Sequence, residues 1–229
     1  MKIDIVFPSN NEEEFVTLAQ KLGWDGICFV YDSVKDKNVL KKINELNKLS
    51  ILKKFKIYNG LLVNRKTIQK FNNKTNLTII RVNDNVRNAV EKIKPNIIFN
   101  QENVDKSDFI HQRNSGINHV ICNIAKKNDV NIAFSFQSLL NNKLRTRIMG
   151  RVRQNVKLCK KYDVNILIAS FSNNPMNMRS PDELKSLFIN FWMHPKEADL
   201  GLRQCNEIIM NNEFKKSDKY ITDGVEIIK

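Results

Sequence analysis

The chain has 229 residues, 41% of them hydrophobic, and carries 38 Lys+Arg against 24 Asp+Glu, a formal charge of +14 with a pI near 9.6. That length suits one domain with a large core, and a basic excess of this size selects for a polyanionic partner, nucleic acid first among them. A helical membrane protein is excluded, since no apolar run approaches the ~20 residues that cross a bilayer. A membrane-surface protein is disfavoured because no basic amphipathic helix ends in exposed Trp or Phe.

The chain opens as Met1-Lys2-Ile3-Asp4-Ile5-Val6-Phe7, a short apolar stretch that reads as a first strand rather than a signal peptide, so a cytoplasmic location is expected. Strands are then expected at Gly26–Tyr31, Lys56–Leu62, Thr78–Val82, Asn96–Phe99, Asn131–Phe136 and Asn165–Ser170, with a candidate eighth at Asp108–His111. Between them fall helical patterns at Glu12–Leu22, Val39–Leu49, Val86–Ile93, Ile117–Lys127, Leu144–Tyr162, Pro181–Trp192 and from Pro195 to Met210. Gly23 is placed to end the first helix, Asp84 and Asn85 to cap the one that starts at Val86, and Ser180-Pro181-Asp182-Glu183 reads as an N-cap, an N1 proline and an acidic first turn.

Strand–helix alternation implies βαβ crossovers and a parallel sheet with helices outside. Seven or eight strands make that sheet an irregular (β/α) TIM-like barrel. Residues 1–214 form a single barrel domain with a C-terminal helical extension, and residues 215–229 form a loosely ordered tail. A dinucleotide-binding fold is disfavoured, because Phe7-Pro8-Ser9-Asn10-Asn11 stands where a glycine-rich phosphate loop would follow the first strand. The four cysteines, Cys28, Cys122, Cys159 and Cys205, are dispersed among apolar neighbours with no C-x-x-C pair, which reads as core thiols in a reducing compartment rather than a zinc site.

Barrel enzymes act from the C-terminal ends of their strands. Those ends carry mostly neutral amides and hydroxyls here, and Asp32, Asp84, Glu102 and His111 are the ionisable candidates. A two-metal hydrolase needs several carboxylates or histidines converging on ions ~4 Å apart.

The basic signal concentrates on Leu144–Tyr162. At 100° per residue Leu144, Ile148, Val152, Val156, Cys159 and Tyr162 make an apolar stripe that includes Asn155. Arg153, Lys157, Lys160 and Lys161 cover the opposite face, and Arg147 and Arg151 take one shoulder. A solvated outer face explains any one of them; the cluster on a +14 chain favours phosphate contact. Lys126 and Lys127 close the preceding helix, where the helix dipole also suits cations. Arg113 and Arg179 lie in loops and rank highest, since loop arginines have less structural reason to be there. With no RNP-type aromatic pair, recognition of shape and backbone fits better than base reading.

Several segments in order resemble one family. Ser115–Leu140 reads SGINHVICNIAKKNDVNIAFSFQSLL, followed by an R-x-R-x-x-G-R helix (Arg145, Arg147, Gly150, Arg151) ending in KLCKKY, an aliphatic strand and an MRSPDEL helix start; LGWDGI at Leu22–Ile27 adds an earlier match. These resemble ribonuclease P protein component 3. The resemblance implies a subunit of the ribonucleoprotein that removes the 5′ leader of precursor tRNA. It implies catalysis by magnesium ions held on the RNA, with no cofactor and no catalytic residue on this chain. The implied partners are the RNase P RNA, protein component 2 in a two-plus-two heterotetramer, and the other RNase P proteins. It also raises His119 as an RNA- or partner-contacting position and matches Arg113 and Arg179 to positively charged positions. The family's barrel is similar to that of the polymerase-and-histidinol-phosphatase hydrolases, which carry an H-x-H pair after the first strand; Phe7-Pro8-Ser9 stands there instead. A stand-alone metal-dependent barrel phosphoesterase or nuclease remains the alternative, and a protein–protein scaffold the third reading.

Overall fold

Strand–helix alternation resolves into one sheet of seven parallel strands in chain order. The computed structural model describes residues 1–32, 55–71, 74–82, 85–104, 107–140, 143–217, 220–222 and 225–226, so the expected helix Val39–Leu49 and Asp84 lie outside the described residues. The strands are β1 (Ile3–Val6), β2 (Gly26–Asp32), β3 (Lys56–Leu62), β4 (Leu77–Arg81), β5 (Ile97–Phe99), β6 (Asn131–Ser135) and β7 (Ile166–Ala169). The helices are α1 (Glu12–Lys21), a single turn α2 (Ile68–Phe71), α3 (Val86–Asn88) running into a π-helical turn Ala89–Ile93, α4 (His119–Lys127), a short α5 (Phe136–Leu139), α6 (Arg145–Lys161), α7 (Pro181–Asn190) and α8 (Pro195–Lys215). A two-stranded antiparallel hairpin, β8 (Tyr220–Thr222) and β9 (Val225–Glu226), follows α8.

Side-chain alternation along each strand builds two cores. Ile3, Ile5, Cys28, Val30, Leu77, Ile79, Ile97, Phe99, Leu167 and Ala169 fill the barrel, while Ile27, Phe29, Ile57, Leu61, Ile80, Ile98, Ile132, Phe134 and Ile168 meet the helices outside. The ring is nearly closed. Between β1 and β7 there is a lone parallel bridge, Val6 to Ser172, with Phe7 N–H donating to the Ser172 carbonyl at 2.8 Å. Where the main chains part, the Asp4 carboxylate takes over: its Oδ1 accepts from Ser170 N at 2.7 Å and from Ile5 N at 2.9 Å. Asp4 is fully buried, and burial, opposed by these hydrogen bonds, pushes its pKa up to about 7.

The expected eighth strand does not form. Asp108–His111 lie in an irregular loop in which Phe109 N donates to the Gln112 carbonyl and Phe109 and Ile110 are exposed. Asp108 is drawn inward by arginine partners, and that turn is incompatible with extended pairing.

The C-terminal extension, α8, lies across the N-terminal mouth of the barrel. Gly201 permits this approach, since a Cβ there would stand 2.9 Å from Ile168. Cys205, Ile208 and Ile209 then join the interior core. Its polar edge pairs with the asparagines that begin the strands: Gln204 donates to Asn131 Oδ1, Asn212 Nδ2 to the Asn76 carbonyl and to Asn96 Oδ1. The starts of β4, β5 and β6 are thereby met by amides of the helix. The expected caps form as well: Asn85 accepts from Asn88 N, and Ser180 and Glu183 make a reciprocal capping box ahead of Pro181. All four cysteines are buried and free.

Candidate nucleic-acid interface

The basic residues divide into two groups. One is a buried corner between α6 and the loop before α4. Arg151, expected on an exposed shoulder of α6, is instead 1% exposed. Its Nε donates to Asp108 Oδ1 at 2.8 Å, and its Nη1 to the carbonyls of Glu102 and Val104 at 3.0 and 2.8 Å. Burial opposes ionisation of Asp108, yet the hydrogen bonds from Arg151 and Asn114 and the charges of Arg151 and Arg113 hold its pKa below the ordinary carboxylate value.

Arg113 belongs to the same corner. Its Nη1 lies 3.4 Å from Asp108 Oδ2, and its guanidinium lies over Gly150, where a Cβ would collide with it. Gln154 locks the loop by accepting from Arg113 N and donating to the Arg113 carbonyl and to Ser115 Oγ. Asn155 is buried in the apolar stripe as expected, and its Nδ2 donates to the Ser115 carbonyl at 2.9 Å. Gly116 has φ +83° and sits so close to the Gln101 backbone that a Cβ would clash with its carbonyl. The Ser115-Gly116 and Gly150-Arg151 signatures are two sides of one internal joint.

Arg179 is likewise engaged. Its Nη1 donates to the Met176 and Met178 carbonyls at 3.2 and 2.6 Å, its guanidinium stands 5.1 Å from the Phe136 ring, and its own carbonyl accepts from the buried Trp24 indole. Both loop arginines therefore have structural partners, although Arg113 keeps half of its side chain in solvent.

The second group is the outer face of α6. Arg153 Cζ and Lys157 Nζ lie 3.9 and 3.6 Å from the Trp192 ring centroid. The Trp192 carbonyl accepts from Lys160, which also pairs with Glu197 at 2.8 Å. Trp192 holds a left-handed backbone (φ 72°) just past α7, at the end of the expected helix Pro181–Trp192, and the residue is 47% exposed. Such a conformation costs a bulky residue about 1–3 kcal/mol; here it turns the indole onto α6. Lys161 stands near Tyr162, and the exposed His119 opens α4 at 6.4 Å from the same ring. Lys126 pairs with Asp163 at 2.6 Å, Lys127 is exposed beside it, and Arg147 is half-buried with its Nε enclosed. The structure thus gathers Arg153, Lys157 and Lys160 around Trp192, with His119 and Lys161 along the α4 side, and assigns Arg151 to the core. Sequence reading did not single out Trp192; an aromatic in a Phe-Trp-Met-His run before a proline was its only trace.

The enzymatic candidates do not converge. Glu102 is fully buried, His111 is exposed in a loop, Asp32 ends β2, and no group of three or more metal-ligating side chains exists among the described residues. Burial pushes the Glu102 pKa up to about 7, against its hydrogen bond with Ser138 and the Arg151 charge.

Fold and surface together define a class: an irregular (β/α) barrel whose outer helix carries a braced basic face. Comparison with known proteins places it further. The chain belongs to the RNase P subunit p30 family, whose profile matches residues 1–217. It is 28% identical to the ribonuclease P protein component 3 of Methanocaldococcus jannaschii, over all of this chain and 98% of that protein. It is 33% identical to that of Methanococcoides burtonii over 56% of the chain and 55% of the relative. A chain of the cryo-EM structure of archaeal ribonuclease P with mature tRNA superposes with a TM-score of 0.79 at 26% identity, covering 98% of each. Histidinol phosphate phosphatase from Lactococcus lactis shares the fold, with a TM-score of 0.64 at 13% identity over 84% of this chain and 94% of the other.

Proposed function

We propose that this chain is a protein subunit of ribonuclease P that supports an RNA catalyst in removing the 5′ leader of precursor tRNA. The observation that carries this is the end-to-end likeness, at a TM-score of 0.79, to a chain of archaeal ribonuclease P. In this reading the α6 face, with Arg153, Lys157 and Lys161 and flanked by His119, Lys126 and Lys127, neutralises phosphates of the RNase P RNA. The buried Arg151 joint and the Arg179 turn hold that face in register. Chemistry belongs to magnesium ions bound by the RNA, and no residue of this chain enters the reaction. Protein component 2 is the companion subunit, in a two-plus-two assembly that acts in the cytoplasm. Residues 1–214 serve as the folding unit, and 215–229 as an accessory tail. The alternative of an independent metal-dependent phosphoesterase draws no support from Glu102 and His111, which face different environments.

The test is precursor-tRNA cleavage at limiting magnesium, with RNase P RNA, with and without this protein and component 2. Cleavage that requires the RNA and rises with the protein pair is expected. Cleavage by the protein alone would overturn the proposal.

A further inference from the structure

We propose that the C-terminal mouth of the barrel is a phosphate-binding site built around Arg81, separate from the α6 face. Arg81 ends β4 and its guanidinium lies 5.1 Å from the Phe7 ring and 5.3 Å from the Phe99 ring. Phe99 in turn stacks on Phe171 at 4.6 Å with 10° between the planes. Three aromatic rings thus floor the mouth and leave the guanidinium at its rim. That guanidinium presents five N–H donors and gives none to an acceptor among the described residues. Partial burial lowers its pKa, offset in part by the charge of Asp32, although the residue as a whole is exposed.

A pocket of about 290 Å³ opens beside it. Asn100, Asn103, Gln137, Ser138 and Asn173 supply amide and hydroxyl groups around its wall, and no carboxylate lines it among the described residues. The nearest buried acid, Glu102, lies behind Ser138 Oγ at 3.1 Å and is fully enclosed. A guanidinium at a wall of neutral amides and hydroxyls, with Asp32 the carboxylate whose charge reaches it, favours an oxyanion over a cation. The donors come from the ends of β4, β5, β6 and β7 and so approach from several directions. That arrangement suits a tetrahedral anion better than a planar carboxylate. The site stands on this geometry alone and does not depend on the RNA-subunit reading. The phosphate would come from an RNA strand or from a free phosphate ion or nucleotide, and the chemistry of recognition is the same.

The experiment is a titration of the full-length protein with inorganic phosphate against chloride at matched ionic strength, following the side-chain amide resonances of Asn103, Gln137 and Asn173 by NMR. Saturable shifts in the millimolar range are expected. Arg81→Gln should weaken binding about tenfold or more, the loss of one charge-assisted contact. Asn173→Asp places a carboxylate at an exposed edge of the pocket without touching the core, and should weaken binding if Arg81→Gln proves poorly folded. Lys21→Gln, in the exposed last turn of α1, should bind as wild type. Unchanged affinity in folded Arg81→Gln or in Asn173→Asp, or no saturable shift at all, would overturn the site. Competition then names the source. Displacement only by a 5′-phosphorylated RNA trinucleotide identifies a terminal phosphate, displacement also by its unphosphorylated form identifies the backbone, and displacement by neither identifies a free phosphate.

Discussion

Arg151 and Arg153 are two residues apart on one helix, yet the protein uses them in opposite ways. Arg151 is enclosed and spends its donors on Asp108 and two backbone carbonyls, while Arg153 is half-buried, its Nε enclosed and its guanidinium against a partly exposed indole. The corner around Arg151 holds the motifs that make the chain recognisable, and the face around Trp192 holds charge free to meet a partner. The lesson is that a basic signature can be architecture, with the binding surface beside it on the same helix.

The contrast is sharpest in stability. Arg151→Met should destabilise the fold by about 3–5 kcal/mol, because Asp108 is left without its main partner in a closed joint; urea unfolding measures this, and a cost under about 1 kcal/mol would erase the distinction. A second expectation concerns pH. Glu102, inside the corner, and Asp4, at the barrel seam, have folded-state pKa values near 7, raised from 4.5 and 3.8. The folded state therefore binds more protons than the unfolded one between those limits. Their contribution is full below about pH 4 and is lost as pH rises through about 7, a fall on the order of a few kcal/mol. Glu102→Gln should remove part of that slope and the Asp4→Asn/Glu102→Gln double variant most of it, read from unfolding midpoints at pH 5 and pH 8.

On the other face, the Arg153→Gln/Lys157→Gln double variant should leave stability within about 1 kcal/mol. The log–log salt slope of RNA binding should fall by roughly 1.4–1.8, since each lost phosphate contact contributes about 0.7–0.9. A loss of stability with no change in slope would make this face structural as well. The smallest effect is expected of Trp192→Leu: net charge is constant, the two cations lose their brace, worth about 0.5–2 kcal/mol in cation–π attraction, and RNA affinity should drop a few-fold with the salt slope unchanged.

The fold was legible because local rules and global packing agree. Short β-branched apolar runs marked all seven strands, and the Ser180 capping box formed where its sequence signature stood. The misplaced eighth strand shows the limit: Asp108–His111 has an apolar pair, but Asp108 answers to Arg151, whose partner lies 43 residues away. The candidate surface was legible as a helix face and blurred in its members. A helical wheel gives angle and not depth, so it placed Arg151 on a shoulder that the Ser115–Gly116 loop covers.

The sequence by itself determined the strand order, the barrel class, the basic character and the family, because each is written in local periodicity, composition or short motifs. Only the tertiary structure decided which cations are buried, that Trp192 meets two of them, that α8 closes one mouth of the barrel with amides, and that Arg81 lies against the Phe7 and Phe99 rings at the other. Those outcomes depend on contacts between residues far apart in the chain, and the energy of such a contact exists only once the fold has brought its two halves together.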